Sequence, residues 1–241
     1  LTEARISPMD RGFLFGDGVY EVIPCYEGQF VALDYHLERL RNSLEGIDLA
    51  INESNEQLVA LLDELCRQNG SGDQGVYLQI TRGVVEKRQH AFSAESAPTI
   101  FAYPFPIASP SDGSPANATC FTAVTRTDKR WARCDIKSTA LLGNVLHMME
   151  AVDDGAQEVL LFNERDELTE AAACNVFIVD AGKILTPALD HHILPGVTRR
   201  LCLDLLAAHT NWSVEIRPVT RAEVHSAEEI WLSSSTKELA P

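Results

Sequence analysis

The sequence predicts a mixed α/β protein built as two α+β domains. Three observations carry that expectation. At 241 residues the chain exceeds the roughly 100–150 residues of a common single domain. Short apolar, strand-like runs alternate with stretches whose leucines recur at helical spacing. The stretch "PFPIASPSDGSP", from Pro104 to Pro115, is too rich in proline, serine and glycine to continue either kind of element. It divides the chain into an N-terminal α+β domain over 1–105, a linker over 106–117 and a C-terminal domain over 118–241.

Taken in order, "GVYEVIPCYEGQFVAL" alternates around a polar Glu27-Gly28-Gln29 turn and predicts a β-hairpin. "DYHLERLRNSLEGI" follows as a helix, with Asp34 as its N-cap and Leu37, Leu40 and Leu44 on one face. "NEQLVALLDELCRQNG" is a second amphipathic helix closed by Gly70. "GVYLQITRG" and "PTIFAYPF" are strands. Beyond the linker, "ATCFTAVT" is a strand, "TALLGNVLHMMEAVDDG" a helix, and "EVLLFN", "NVFIVD" and "KILTP" short strands. "GVTRRLCLDLLAAH" is then a helix, and "SVEIRPV" and "EIWLSS" are strands. Sheets flanked by helices follow from that order.

Composition narrows the function. Hydrophobic residues make up 45% of the chain and charged ones 23%, and no apolar run approaches the roughly 20 residues that span a bilayer. A net charge of −15 repels a phosphate backbone, which argues against a nucleic-acid partner. The cysteines Cys25, Cys66, Cys120, Cys134, Cys174 and Cys202 are scattered without a CxxC pair. That pattern favours reduced thiols and a cytoplasmic location, with no metal site. The chain begins at Leu1 without a signal-like start and stops at "EEIWLSSSTKELAP", so both ends read as trimmed.

Three segments carry chemistry. "WARCDIKSTALLGNVL" sets Lys137 in a largely apolar context, where desolvation favours the neutral, nucleophilic amine. "ELTEAAACNVFIV" puts Glu170 ahead of small side chains, leaving room for a flat ligand whose ring nitrogen meets the carboxylate. "ILPGVTRRL" places Gly196, Val197 and Thr198 at a helix start, where free N–H groups and the dipole suit a phosphate. A lysine nucleophile, a carboxylate and a phosphate cup are together the parts of a pyridoxal-phosphate site.

The wording and order of "DRGFLFGDGVYEVI", "HLERL", "CDIKSTALLGNVL", "ELTEAAACNVFIV" and "ILPGVTRRL" closely resemble the fold-type IV, or class IV, aminotransferases, from about Asp10 to Thr236. The resemblance implies two α/β domains with pyridoxal 5'-phosphate at their interface. It implies that Lys137 binds the coenzyme covalently and moves the proton at the substrate α-carbon, and that Glu170 partners the pyridine nitrogen. Arg39 matches the phosphate-binding arginine, Val197 and Thr198 the helix-start cup, and Ser234 and Ser235 its completion. Leu194 and Trp131 match positions lining the coenzyme.

On the substrate side, Arg88-Gln89-His90 fits the Arg-x-His pattern of the D-amino acid branch. By resemblance, Arg88 and His90 reach across a homodimer and trap the substrate carboxylate together with Tyr20, while Val22 faces the substrate side chain. The expectation is a transaminase moving the amino group of a D-amino acid, D-alanine above all, to 2-oxoglutarate. Branched-chain L-amino acid aminotransferase and aminodeoxychorismate lyase are the alternatives. "AAAC" after Glu170 departs from the hydroxyls common in the D-branch, Pro24 replaces a residue that is basic in some relatives, and Lys237 reads as a surface residue.

Overall fold

The structure, a computed structural model, describes residues 2–70, 72–92, 97–110 and 112–241. Ser111 of the predicted linker lies outside them. Contacts divide the chain into one unit of Leu1–Ser109 with Ile136–Leu141 and a second of Pro110–Asp135 with Leu142–Pro241.

The first unit opens with α1 (Arg11–Phe15), capped by the Asp10 side chain, which accepts from the Gly12 N–H, and ended by Gly16 at φ +67°. The predicted hairpin is β1 (Gly18–Tyr26) and β2 (Gln29–Phe30). Its turn is Glu27-Gly28, both at positive φ, as a tight hairpin turn requires. Gln29 already pairs with Tyr26, so the turn is one residue shorter than the sequence suggests.

Then come α2 (Leu33–Gly46) and α3 (Asn55–Asn69). Asp34 does not cap α2: Ala32 holds the cap position in a left-handed conformation, and Asp34 falls in the first turn, where its charge suits the helix dipole. On α3, Ser54 and Gln57 exchange the two bonds of a capping box. Strands β3 (Gln74–Thr81) and β4 (Thr99–Pro106) complete an antiparallel sheet in the order β2-β1-β3-β4. Val19, Leu78 and Ile80 pack against Leu37, Leu40 and Leu44 of α2, each fully buried side chain contributing about 1.5–3 kcal/mol.

The segment Ile136–Leu141, expected with the C-terminal domain, packs instead with the first unit. Ile136 joins the α2 core cluster, and Ser138 bridges to Val19 at the start of β1. Burial of Ile136 and pairing along β1 outweigh sequence continuity.

The second unit contains β5 (Ala123–Thr127), α4 (Leu142–Asp153), β6 (Glu158–Phe162), β7 (Leu168–Ala171), β8 (Asn175–Asp180), β9 (Lys183–Thr186) and α5 (Val197–His209). It ends with β10 (Ser213–Ile216), α6 (Arg221–Ser226), β11 (Glu229–Ser234) and β12 (Glu238–Ala240). One sheet has the order β5-β6-β7 and the other β10-β9-β8-β11-β12. Residues of β6, β7, β8 and β11 share one core cluster with Val219 and Val224. The near-continuous burial of β6, β7 and β8 explains why their sequences read as apolar runs. The expected strand "ATCFTAVT" begins only at Ala123.

Candidate active site

Lys137 is held by its backbone. Its N–H donates to Ser43 Oγ at 3.1 Å, and its carbonyl accepts from the Tyr20 N–H at 3.0 Å. Thr139 N–H then donates to the Gly18 carbonyl at 2.9 Å, so both flanks of the lysine are fixed against β1. The Nζ lies 4.2 Å from the centroid of the Tyr20 ring, a cation–π distance. Tyr20 in turn stacks on Tyr77, with ring centroids 5.7 Å apart. Alternation along β1 puts Tyr20 and Val22 on one face, both half-buried, and Val19, Glu21 and Ile23 on the other, fully buried.

Glu21 meets α2 there. Arg39 donates to it twice, Nε to Oε1 at 2.8 Å and Nη2 to Oε2 at 2.7 Å, and His36 Nδ1 lies 2.7 Å from Oε2. His36 and Arg39 are three residues apart on the helix, which aligns them on one face. Burial pushes the Glu21 carboxyl up, but the Arg39 guanidinium and the His36 bond outweigh it and hold the group at about 2. Burial lowers His36 below its usual value despite Glu21. Two donors of Arg39, predicted to bind phosphate, are therefore committed to a carboxylate that fixes the plane of the guanidinium.

Arg88 and His90 lie on the loop after β3, both exposed. The Arg88 guanidinium sits 5.0 Å from the Phe15 ring, and the His90 ring is 5.5 Å from it. The loop is anchored by a residue that sequence reasoning passed over. Buried Arg11 donates to the carbonyls of Gln89 at 2.7 Å and His90 at 2.9 Å and pairs with Asp17 at 2.7 Å. Arg82 shares Asp17 and stacks on Phe92 at 3.6 Å.

In the second unit, Glu170 is buried at 6% exposure on β7, its own short strand rather than the entrance to the next. Oε1 accepts from Arg130 Nη1, and Oε2 accepts from Asn175 Nδ2 at 3.1 Å and the Leu194 N–H at 3.0 Å. Arg130 also donates from Nε and Nη2 to Asp128, at 3.0 and 2.7 Å, and from Nη2 to the His192 carbonyl at 3.0 Å. Burial raises the Glu170 carboxyl above the ordinary value, against the opposing pull of Arg130. Sequence reasoning missed Arg130, one of two arginines in "DKRWARCD", and Asn175, whose amide bridges Glu170 and the Leu194 carbonyl.

Gly196 precedes α5 and supplies no side-chain cap, leaving first-turn donors at Val197 and Thr198 for an acceptor from elsewhere. A Cβ on Gly196 would come within 1.8 Å of Asn175 Oδ1, so the close approach of that amide requires glycine. Ser234 Oγ accepts from the Lys237 N–H at 3.3 Å, and Ser235 follows at the turn after β11. Lys237, expected at the surface, pairs through Nζ with fully buried Glu158 at 3.1 Å. Trp131 is 48% exposed.

Residues 18–241 match the family described as amino-transferase class IV. The chain belongs to the class IV aminotransferases and is an enzyme of that family. It is 38% identical to a D-alanine aminotransferase of Listeria innocua, over 99% of this chain and 82% of that protein. It is also 38% identical to a D-alanine aminotransferase of Bacillus licheniformis, over 100% of this chain and 83% of that one. The fold is shared with the branched-chain amino acid aminotransferase of Escherichia coli, at a TM-score of 0.91 and 22% identity, covering 100% of this chain and 81% of that one.

Proposed function

We propose that this enzyme is a pyridoxal-phosphate-dependent D-amino acid transaminase, with D-alanine as donor and 2-oxoglutarate as acceptor, working as a cytoplasmic homodimer. The observation that carries the reading is the 38% identity to D-alanine aminotransferases along essentially the whole chain. "Arg88-Gln89-His90" adds to it, as the pattern expected for trapping a D-substrate's carboxylate.

The residues present fit the coenzyme. A carboxylate offers about four lone-pair positions, and three donors reach Glu170 from Arg130, Asn175 and Leu194, which leaves a position suited to a ring N–H. The α5 start, with no side-chain cap, suits a phosphate at Val197 and Thr198, with Ser234 and Ser235 as further donors, and Arg39 is the guanidinium that the family resemblance assigns to the same group. Leu194 would line the ring. When bound, pyridoxal phosphate supplies an aldehyde that captures amines and a ring that accepts electrons.

Lys137 would hold the coenzyme through its amine and, acting as general acid/base, would move the proton between the substrate α-carbon and the coenzyme's C4′ carbon. Its backbone bonds to Ser43 and Tyr20 fix the main chain from which that amine extends. Tyr20, with Arg88 and His90 of the opposite protomer, orients the substrate carboxylate, and Val22 contacts its side chain. Support for a dimer comes from α4, where Leu142, Val145, Leu146, Met149 and Val152 are 48–70% exposed at spacings that make one apolar stripe.

Incubation with D-alanine or L-alanine and 2-oxoglutarate, followed by chiral analysis of the glutamate, tests the reading. D-glutamate from D-alanine is expected. Turnover of L-alanine alone would overturn it, and pyruvate released from aminodeoxychorismate without an amino acceptor would favour a lyase.

A further inference from the structure

Between β9 and α5, Asp190, His191 and His192 stand in succession, and one ligand atom from each lies within 4.8 Å of the others. The two imidazole rings are 4.0 Å apart at their centroids and tilted by 43°. His192 Nδ1 is shielded from solvent and has no hydrogen-bond partner among the described residues. Asp190 Oδ2 stands 3.7 Å from it, beyond hydrogen-bond reach. A buried ring nitrogen without a partner is uncommon, and this one sits beside a carboxylate and a second imidazole.

Two imidazoles and a carboxylate are the donor set of many zinc sites, with ligand atoms about 2.0–2.2 Å from the ion. Two such ligands around a tetrahedral ion lie about 3.4 Å apart, so the Asp190–His192 pair is within a few tenths of an ångström of that spacing. Asp190 is already held, its Oδ1 accepting from the His192 N–H at 2.8 Å while Oδ2 faces the ring, so the wider separations within the trio close by rotation of the exposed His191 side chain.

The backbone beneath is already fixed. The His192 carbonyl accepts from Arg130 at 3.0 Å, and the His191 carbonyl accepts from the Cys134 N–H at 2.7 Å. Binding an ion there would cost side-chain rotation rather than loop order. We propose that Asp190, His191 and His192 bind a divalent transition-metal ion, zinc being the ion their donors suit best, with the remaining coordination open to water. The adjacent loop carbonyls make the site a neighbour of Arg130 and, through it, of Glu170.

The test is calorimetric titration of the coenzyme-loaded protein with zinc chloride, paired with thermal melts with and without the metal. One zinc per chain is expected, with a rise in Tm that a chelator reverses, because an ion bound only to the folded state stabilises it by mass action. The double variant H191A/H192A should lose both the binding and the Tm rise, whereas H209A, at the end of α5, should keep them. Both altered side chains leave the carbonyls to Arg130 and Cys134 in place, and a metal-free melt of the variant checks that its fold is retained. Saturable binding unchanged in the double variant, or none in the wild type, would overturn the proposal.

Discussion

Lys137 and Tyr20 are joined twice: the tyrosine N–H donates to the lysine carbonyl at 3.0 Å, and the lysine Nζ lies 4.2 Å from the tyrosine ring centroid. The first contact fixes where the lysine is anchored, and the second where its amine rests. Replacing Lys137 by alanine removes only the second, because the backbone bonds to Ser43, Tyr20 and the neighbouring residues persist. Turnover of D-alanine should fall by at least about 10³-fold with the melting temperature nearly unchanged. Near-normal rates in a coupled assay would remove Lys137 from the chemistry.

Arg130 links two buried carboxylates, Asp128 and Glu170. Its removal strands both, and breaking a buried pair costs about 3–5 kcal/mol. Arg130→Ala should therefore lower the urea midpoint sharply and weaken retention of pyridoxal phosphate. Arg130→Lys should rescue little, since one ammonium cannot reproduce a fork that meets Asp128 and Glu170 together. Full rescue by lysine would show that charge alone suffices.

Acid stability should follow His36 and Glu21. The carboxyl of Glu21 is held at about 2 against an ordinary value of 4.5. Its contribution, on the order of 3 kcal/mol, is complete above about pH 4.5 and lost as the pH falls toward 2. His36 is kept neutral below its ordinary 6.5, so the unfolded chain takes up a proton first, and stability starts to fall as the pH drops below that value. Glu21→Gln should destabilise the fold at neutral pH and flatten the dependence below pH 4.5. A denaturation series with unchanged pH slope in that variant would place the acid sensitivity elsewhere.

Arg11 should act on substrate binding at a distance. Its bonds to the Gln89 and His90 carbonyls are charge-assisted, and losing such bonds costs about 1.5–3 kcal/mol. Arg11→Ala should loosen the loop and raise KM for D-alanine by about tenfold with a smaller change in kcat. Equal losses in both parameters would indicate damage beyond the loop.

The apolar stripe on α4 offers a further check on assembly. Val145→Asp with Met149→Asp should shift the protein to a monomer by light scattering and reduce turnover, because Arg88 and His90 are expected to serve the opposite protomer. A dimer undisturbed by both charges would put the interface on another face.

Much of this architecture was legible because local pattern and tertiary burial agree: the leucines of α2, and the apolar spacing of α3 up to Gly70, mark their helices plainly. Where they diverge, the sequence is silent. β7 is four residues of Leu, Thr, Glu and Ala, with no alternation to announce a buried strand, and α1 is barely a turn. Asp34 looks like a cap, but the cap position falls at Ala32, which carries no acceptor. Lys137, Glu170 and Thr198 are proposed through family wording, whereas Arg130 and Arg11 look like any other arginine until a buried carboxylate or a row of carbonyls identifies them.

The placement of Ile136–Leu141 within the first unit has a consequence for synthesis. That unit is discontinuous along the chain, and the strand of residues carrying Lys137 leaves the ribosome only after the linker and the start of the second unit. The N-terminal part cannot finish its core at residue 109 as an autonomous early domain would. It must wait for Ile136, so a product truncated within the linker should remain incompletely packed, exposing the α2 leucines to chaperones and proteases.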